Sequence, residues 1–276
     1  MKLGRKYGGW LGSRSVAASA LAVGSLALLA GFIAIPLLSL VLWTVDREAW
    51  QAMVSPVALN ALFLSAKTTA ASMSALLVVG TPAAYVLARG NFRGKRMLNT
   101  LIDIPVVLPP SAAGIALLLA FGRVGLLGEH LRLLGISLPF STAAVVLAEL
   151  FVATPFYIRQ AVTGFSEVDR DIEEAAMVDG ASGLTTFLRI TLPLASPALV
   201  AGAITAWARA LGEFGATIIF AGNLPSVTQT VPLAIYAAME SNFDAAVALS
   251  VLVLGFAFTI ILAVRYLARK VIEYQE

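Results

Sequence analysis

Long apolar segments constrain the fold of this chain more than any other feature of its sequence. A helix needs about 20 apolar residues to cross the hydrocarbon core of a bilayer. Runs that meet this length occupy residues 16–44, 59–87, 98–121, 140–160, 192–220 and 244–267. Pro105, Pro109 and Pro110 interrupt the third run and predict a kink or a late start there. The sequence therefore predicts an all-α membrane protein with about six transmembrane helices.

The composition supports a bilayer as the surroundings of these helices. Apolar residues make up 59% of the chain and charged residues 13%, whereas soluble domains are usually about 45–50% apolar and about 25% charged. The net charge of +3 is typical of Lys and Arg gathered at a membrane surface, and no basic groove with interleaved aromatic residues indicates nucleic acid. With no cysteine and a single histidine, no metal cluster built on these residue types is expected.

The distribution of Lys and Arg predicts which ends of the helices face the cytoplasm. Most of the 19 basic residues lie in the N-terminal tail, in the loops after the second and fourth runs, and in the C-terminal tail. Only Arg47, Arg123 and Arg132 fall in loops on the opposite side. Because short cytoplasmic loops are enriched in Lys and Arg, both termini are predicted to be cytoplasmic. An even number of spans requires the same arrangement.

The loop between the fourth and fifth runs is neither short nor plain. It reads SEVDRDIEEAAMVDGASGLTTFLRITLP from residue 166. Ser166 and Asp169 resemble a capping box for a first short helix. Gly180 is placed to end that helix in the left-handed conformation, and Ser182 is placed to cap a second helix over 184–189. We predict two short helices joined by a glycine bend on the cytoplasmic face; a plain amphipathic surface loop is the alternative.

The chain carries no signal of its own for nucleotide chemistry. Its longest loops leave no room for a nucleotide-binding domain, and no Gly-rich loop precedes Lys-Ser or Lys-Thr. No paired carboxylates indicate a catalytic cleft. We therefore expect no enzyme activity and no cofactor in this chain, and any ATP that drives it is expected to bind a partner subunit.

The cytoplasmic loop resembles the EAA loop of the permease subunits of binding-protein-dependent ABC importers. The pattern is Glu-Ala-Ala at 174–176, then Gly180, then Ile-x-Leu-Pro at 190–193. In such permeases this loop forms a coupling helix that sits in a cleft of the ATPase. The resemblance implies a type-1 ABC importer permease bundle. It also implies ATPase coupling for the residues that define the loop: Glu174, Ala175, Ala176, Asp179, Gly180, Ile190, Leu192 and Pro193.

Further stretches extend the resemblance along most of the chain. Residues 82–89 resemble the end of the second span in this permease class, and residues 208–217 and 228–236 are similar to molybdate and sulfate importer permeases. The motifs Glu-Phe-Gly-Ala-Thr at 213–217 and Pro-Leu-Ala-Ile-Tyr at 232–236 resemble those of molybdate permeases more than those of sulfate permeases. The resemblance therefore favours molybdate as the cargo, with sulfate or tungstate as the alternatives.

The resemblance also implies a domain division and a set of partners. The N-terminal tail and first span occupy 1–55, the permease core 56–268 and a cytoplasmic tail 269–276. The implied partners are a second copy of the chain, two cytoplasmic ATPase subunits and an extracytoplasmic solute-binding protein. The loop over 221–242 has no Lys or Arg, so it is equally consistent with docking that protein and with a plain external loop.

The fifth run carries two stripes at helical spacing. A ridge of small residues every fourth position favours close approach of another helix; its members are Ala198, Gly202, Ala206 and Ala210. A polar stripe lies beside it and, with two polar residues of other runs, makes up the candidate translocation path: Thr205, Arg209, Glu213, Thr217, Lys67 and Ser111. An Arg in the hydrocarbon region should face the bundle interior or water. Arg209 and Glu213 either line the path or neutralise each other and fix packing, and Lys67 either lies near the path or extends to the membrane surface.

Two other classes of membrane protein remain as alternatives. A secondary transporter would ordinarily show inverted repeats with intramembrane carboxylates at matching positions. Apart from Asp103 near the start of the interrupted third run and Asp244 at the start of the sixth, only Glu149 and Glu213 lie within the predicted spans. A membrane-embedded enzyme would need a catalytic dyad or a His or Cys cluster, and the sequence offers neither.

Overall fold

The chain is built from helices throughout the part that the structure describes. The computed structural model describes residues 16–44 and 47–273, with side chains at 21–44 and 50–266. Its helices are α1 (Val16–Trp43), α2 (Arg47–Met53), α3 (Pro56–Arg89), α4 (Lys95–Val107), α5 (Pro110–Phe121), α6 (Gly128–Leu133), α7 (Thr142–Glu167), α8 (Arg170–Val178), α9 (Gly183–Thr186), α10 (Leu192–Leu211), α11 (Gly215–Phe220), α12 (Val231–Ser241) and α13 (Phe243–Glu273). Within these ranges no strand occurs, so the prediction of an all-α fold is confirmed.

Helices long and apolar enough to cross a bilayer account for five of the six predicted spans. Among the described residues they are Leu21–Trp43, Pro56–Arg89, Thr142–Glu167, Gly183–Leu211 and Phe243–Tyr266. All five overlap predicted spans. The helix Thr142–Glu167 corresponds to the fourth predicted span and extends seven residues beyond its predicted end at 160. The prediction of about six spans therefore holds for five helices, and the third predicted span differs.

The predicted third span, 98–121, is not a single helix, and the predicted interruption at its prolines is confirmed. The chain forms α4, leaves the helix at Leu108 and Pro109, and starts again at Pro110 as α5. Pro110 occupies the first position of α5, where its missing N–H removes no hydrogen bond. Pro105 stays inside α4. At 12 residues α5 is about 18 Å long, well short of a bilayer core of about 30 Å.

The predicted fifth span, 192–220, has different ends. The helix begins at Gly183, because α9 continues through a π-helical turn over Phe187–Thr191 into α10. It ends at Leu211, and the chain turns through 212–214 before α11 begins. Thr217 therefore belongs to a separate helix from Thr205, and the predicted polar stripe is divided between α10 and α11.

The core lies where α3 and α10 pack against α7. Small residues make this contact close: a Cβ on Gly202 of α10 would lie 2.8 Å from the Cβ of Gln160 on α7. Ala206 and Ala210, further along the predicted ridge, are fully buried. The prediction that this ridge admits a neighbouring helix is confirmed. Tyr157 and Phe165 of α7 are the largest buried side chains of the core.

Helix α1 stands apart from this core. No side chain of α1 is buried among residues 21–43. At its end, Trp43 Nε1 donates a hydrogen bond of 3.0 Å to Asp244 Oδ1 of α13, and the Trp43 ring meets Phe243 edge-on at 6.0 Å. Over residues 21–42, α1 is therefore available to lipid or to another subunit.

Candidate coupling loop and translocation site

The loop after α7 forms two capped helices joined by a glycine bend. Asp169 Oδ1 accepts the amide of Asp171 at the start of α8, and Ser182 Oγ accepts the amide of Thr185 at the start of α9. Gly180 between them has φ +92°, in the left-handed region. The predicted bend at Gly180 and the predicted cap at Ser182 are confirmed. The angle between α8 and α9 is therefore set by the backbone conformation of Gly180 rather than by side-chain packing around it.

Two details of the predicted loop are wrong. Ser166 is not a cap, because α7 continues through Glu167 and the Ser166 hydroxyl donates to the carbonyl of Val162 inside that helix. The second helix does not end at Arg189, since it merges into α10. The base of the loop is therefore continuous with a membrane span.

A buried ion pair, which the sequence reasoning missed, fastens α8 to the spans. Arg89 Nη2, in the last turn of α3, lies 3.1 Å from Glu173 Oε2 and donates a 2.7 Å hydrogen bond to the carbonyl of Val168. Thr191 Oγ1, at the end of the π-helical turn, donates to Glu173 Oε1 at 2.6 Å. Both charged side chains are at most 14% exposed. One carboxylate thus joins α8 to α3 and to the base of α10.

A local signal for this pair exists but is weak. Within α8, Glu173 is the one buried residue and Ala176, three positions on, is half-buried. That spacing places both on one helix face. The pattern marks the face turned towards the spans, but it does not reveal Arg89 as the partner.

Three aromatic rings pack together at the base of the loop. The ring of Tyr85 on α3 contacts Phe165 of α7 at 5.5 Å and Phe187 of the π-helical turn at 4.8 Å between centroids. Phe165 and Phe187 are 6.0 Å apart. Edge-to-face aromatic packing of this kind is directional. This packing holds the end of α3, the end of α7 and the π-helical turn together at the base of the loop.

The structure divides the eight residues predicted for coupling into two groups. Glu174, Ala175, Asp179 and Gly180 are exposed on the outer side of the loop, with Ala176 half-buried. Ile190, Leu192 and Pro193 are half-buried at the base, where α10 begins. The first group offers an open surface of small and acidic residues, while the second group connects that surface to α10.

Arg209 and Glu213 form an ion pair at the break between α10 and α11. Arg209 Nη2 lies 2.7 Å from Glu213 Oε2, a close charge contact that departs from hydrogen-bond alignment. Glu213 Oε1 also accepts the amide of Ala216 in the first turn of α11 at 2.6 Å. The Glu213 side chain is 1% exposed and that of Arg209 is 28% exposed. The carboxylate therefore caps α11 as well as balancing the arginine.

A second carboxyl group is buried nearby between α3 and α7. Glu149 of α7 is 2% exposed. Thr68 Oγ1 donates to its Oε1 and Ser72 Oγ to its Oε2, both at 2.8 Å. Glu213 is close enough to interact electrostatically with Glu149. Polar side chains from α3 and α7 thus meet inside the core.

The remaining predicted path residues are dispersed. Lys67 and Thr205 are exposed on α3 and α10, and Ser111 is exposed at the start of α5. Thr217 is buried in α11, and its hydroxyl has no hydrogen-bond partner. Across the described ranges no ion pair joins Lys67 to any carboxylate. Only Arg209 and Glu213 are brought into direct contact.

Comparisons with known proteins agree on a family. The family model described as binding-protein-dependent transport system inner membrane component matches residues 77–273. The molybdenum transport system permease protein ModB of Mycobacterium bovis is 45% identical over 233 residues, which cover 84% of this chain and 88% of the relative. A probable sulfate transport system permease protein of Chlorokybus atmophyticus is 32% identical over 222 residues, covering 80% and 78%.

A solved structure has a similar fold. A chain from a bacterial alginate ABC transporter, crystallised in complex with an alginate pentasaccharide-bound periplasmic protein, superposes with a TM-score of 0.75. The match covers 92% of this chain and 94% of the other at 14% sequence identity. At that identity the likeness establishes the fold alone.

Proposed function

Because the chain belongs to the family of inner membrane components of binding-protein-dependent transport systems, we propose that its cargo is molybdate. The protein is a multi-pass permease of the inner membrane, and its partners are an ATPase and a solute-binding protein on separate chains. The molybdate assignment is supported by the 45% identity to a molybdenum permease, against 32% to a sulfate permease. Sulfate remains the second candidate.

The observation that carries the coupling role is the asymmetry of α8. Glu173 is held in the buried ion pair with Arg89, whereas Glu174 and Ala175 are exposed. A partner that seats on the exposed face would therefore move a helix already fastened to α3 and α10. This arrangement supports transmission of a rigid-body motion from a cytoplasmic ATPase to the spans. In the same orientation, both termini are cytoplasmic.

The candidate path residues support a second copy of the chain. Lys67 and Thr205 are exposed and Arg209 is partly exposed on the surface of a single chain. A charged side chain facing hydrocarbon is costly, so Lys67 and Arg209 are expected to face water or a second protein surface. A homodimer with a two-fold axis would place two such surfaces around one passage. Within it, the Arg209–Glu213 pair serves to fix the break between α10 and α11.

Reconstitution in proteoliposomes tests the cargo. The permease is inserted with the ATPase and binding protein of the same system, and uptake of molybdate is measured with ATP inside the vesicles. We expect uptake that stops with a non-hydrolysable ATP analogue and that sulfate inhibits only at large excess. Uptake driven by an ion gradient without ATP would contradict the ATP-driven mechanism. Equal inhibition by sulfate and molybdate would contradict the molybdate assignment alone.

An alanine-to-arginine pair tests the coupling surface. Ala175→Arg places a long charged side chain on the exposed face of α8. The control, Ala143→Arg, places the same side chain at another exposed position, in the first turn of α7 and far from the loop. We expect the ATPase to co-purify with the wild type and Ala143→Arg, but not with Ala175→Arg. Retention of the ATPase by Ala175→Arg would exclude this face as its docking site.

A further inference from the structure

The segment between α5 and α7 has a tightly constrained backbone. The chain turns back at the end of α5, where the amides of Leu126 and Leu127 donate to the carbonyls of Leu119 and Ala120. A Cβ on Gly128 would overlap the carbonyl oxygen of Gly122. No side chain is tolerated at that point, so close backbone packing constrains the shape of the turn. The residues on it are therefore presented in a fixed arrangement before any partner binds.

This turn positions two arginines on one cavity. Arg123 and Arg132 both line an open cavity of about 280 Å³, together with Phe121, Gly128, Ile136, Ser137, Leu138 and Pro139. No carboxylate lines the cavity. In the part of the chain that the structure describes, neither guanidinium makes an ion pair. Two uncompensated positive charges that share a cavity repel each other and favour an incoming anionic group.

Exposed apolar side chains surround these arginines. Val124, Leu126, Leu133 and Leu134 are each at least 73% exposed. Arginine beside exposed apolar residues is typical of a protein–protein interface, in which Arg anchors are enriched. A site for a small tetrahedral anion needs polar donors around the ligand and has no use for an apolar rim. The surroundings therefore favour a protein partner over a free oxyanion.

The position of the cavity identifies that partner. It lies beside the N-terminal end of α7, and the coupling loop follows the C-terminal end of the same 26-residue helix, about 39 Å away. We propose that the surface formed by Arg123, Arg132 and the apolar rim docks an acidic patch of the solute-binding protein. This inference rests on the proposed function, which places the coupling loop in the cytoplasm and this surface outside.

A binding measurement with charge-neutral variants tests the proposal. The full transporter is placed in phosphatidylcholine nanodiscs, and the Kd of the binding protein of the same system is measured over a range of salt concentrations. Arg123→Gln/Arg132→Gln is compared with Arg93→Gln, an exposed arginine near the coupling end. We expect the double variant to lose at least tenfold in affinity at low salt and to show a flatter salt dependence. Arg93→Gln should match the wild type.

Each other outcome has a distinct meaning. An unchanged Kd and salt dependence in the double variant would overturn the proposed surface while leaving the permease function intact. Molybdate binding to the wild type without the binding protein, lost in the double variant, would make the cavity a substrate site and also overturn it. Docking that requires anionic lipid in the disc would assign the arginines to lipid instead. Failure of the wild type to dock any binding protein would contradict the proposed function itself.

Discussion

The Arg89 guanidinium lies 3.1 Å from the Glu173 carboxylate, and this pair joins the last turn of α3 to the middle of α8. Residues far apart in the sequence are thereby connected at the base of the coupling loop. Neither residue belongs to the motif by which the loop is recognised. The pair holds the motif in place, while the exposed motif residues remain free for a partner.

Glu173→Gln should destabilise the permease because it leaves the Arg89 charge buried without its counter-charge. We expect a loss of about 2 kcal/mol in unfolding free energy, together with reduced molybdate uptake per ATP hydrolysed. The measurements are thermal unfolding in detergent and the coupling ratio in proteoliposomes. Asp171→Asn, an exposed acid on the same helix, should cost less than about 1 kcal/mol. Equal behaviour of the two variants would exclude an anchoring role for Glu173.

Gly180→Ala should strain the bend between α8 and α9, because φ at this position is +92°. Since nothing lies within 4 Å of an added Cβ, the cost of about 1–2 kcal/mol arises from the backbone alone. Gly183→Ala is the matched control: it also has open space, but it lies in α9, where alanine is favoured by about 0.5–1 kcal/mol. The two substitutions should shift the unfolding temperature in opposite directions. A shift of the same sign would show that the loop does not keep its bend in solution.

Glu213→Leu should cost about 2 kcal/mol more than Glu213→Gln. Both variants remove the charge opposite Arg209, but glutamine keeps an oxygen for the amide of Ala216 and leucine leaves that buried amide unpaired. Differential thermal unfolding measures the gap. Equal stability of the two variants would mean that Glu213 does not cap α11.

The double variant Arg209→Gln/Glu213→Gln separates packing from passage. If the pair only fixes the helix break, two neutral amides should retain much of the molybdate uptake, whereas Arg209→Gln alone leaves the buried Glu213 unbalanced and should lose it. If the double variant and Arg209→Gln both fold normally but neither takes up molybdate, the Arg209 charge acts on the passing anion.

Ser72→Ala should cost about 1–2 kcal/mol, because it removes a hydrogen bond to the buried Glu149 carboxyl group. Ser74→Ala provides the comparison on the same helix. Its hydroxyl is exposed and bonds only to the carbonyl of Ala70 in its own helix, so its loss should stay within about 0.5 kcal/mol. Similar costs for both would imply that the hydrogen bond from Ser72 to Glu149 does not stabilise the protein.

The sequence predicts those features that depend on local rules or on the bilayer. Five spans are correct because a run of apolar residues has no alternative to a helix in hydrocarbon. The bend at Gly180 is predictable because few other residues adopt a positive φ. The family motif also predicts a coupling role for the loop, since its residues occur at the expected spacing in this chain.

Features that depend on contacts between distant residues were missed. Gly212, at the end of α10, is a local stop signal that the prediction of one span over 192–220 did not use. The bond from Ala216 in the first turn of α11 to Glu213 was not predicted either. The Arg89–Glu173 pair has no local signal that names both partners. The cavity at Arg123 likewise depends on how the chain turns back on the end of α5. The Arg89–Glu173 pair in particular depends on a tertiary contact between residues far apart in the sequence.

The continuous helical segment from Gly183 to Leu211 has a mechanical consequence. Its 29 residues span about 43 Å, from α9 in the candidate coupling loop to Arg209 near the break before α11. A tilt of about 5° at one end displaces the other by about 4 Å, a distance comparable to a hydrated anion. Because a π-helical turn and Pro197 lie inside this segment, it can bend there as well as at residues 212–214. A displacement of about 4 Å is therefore the largest that such a tilt can transmit, and it is reached only when the segment moves as a rigid body.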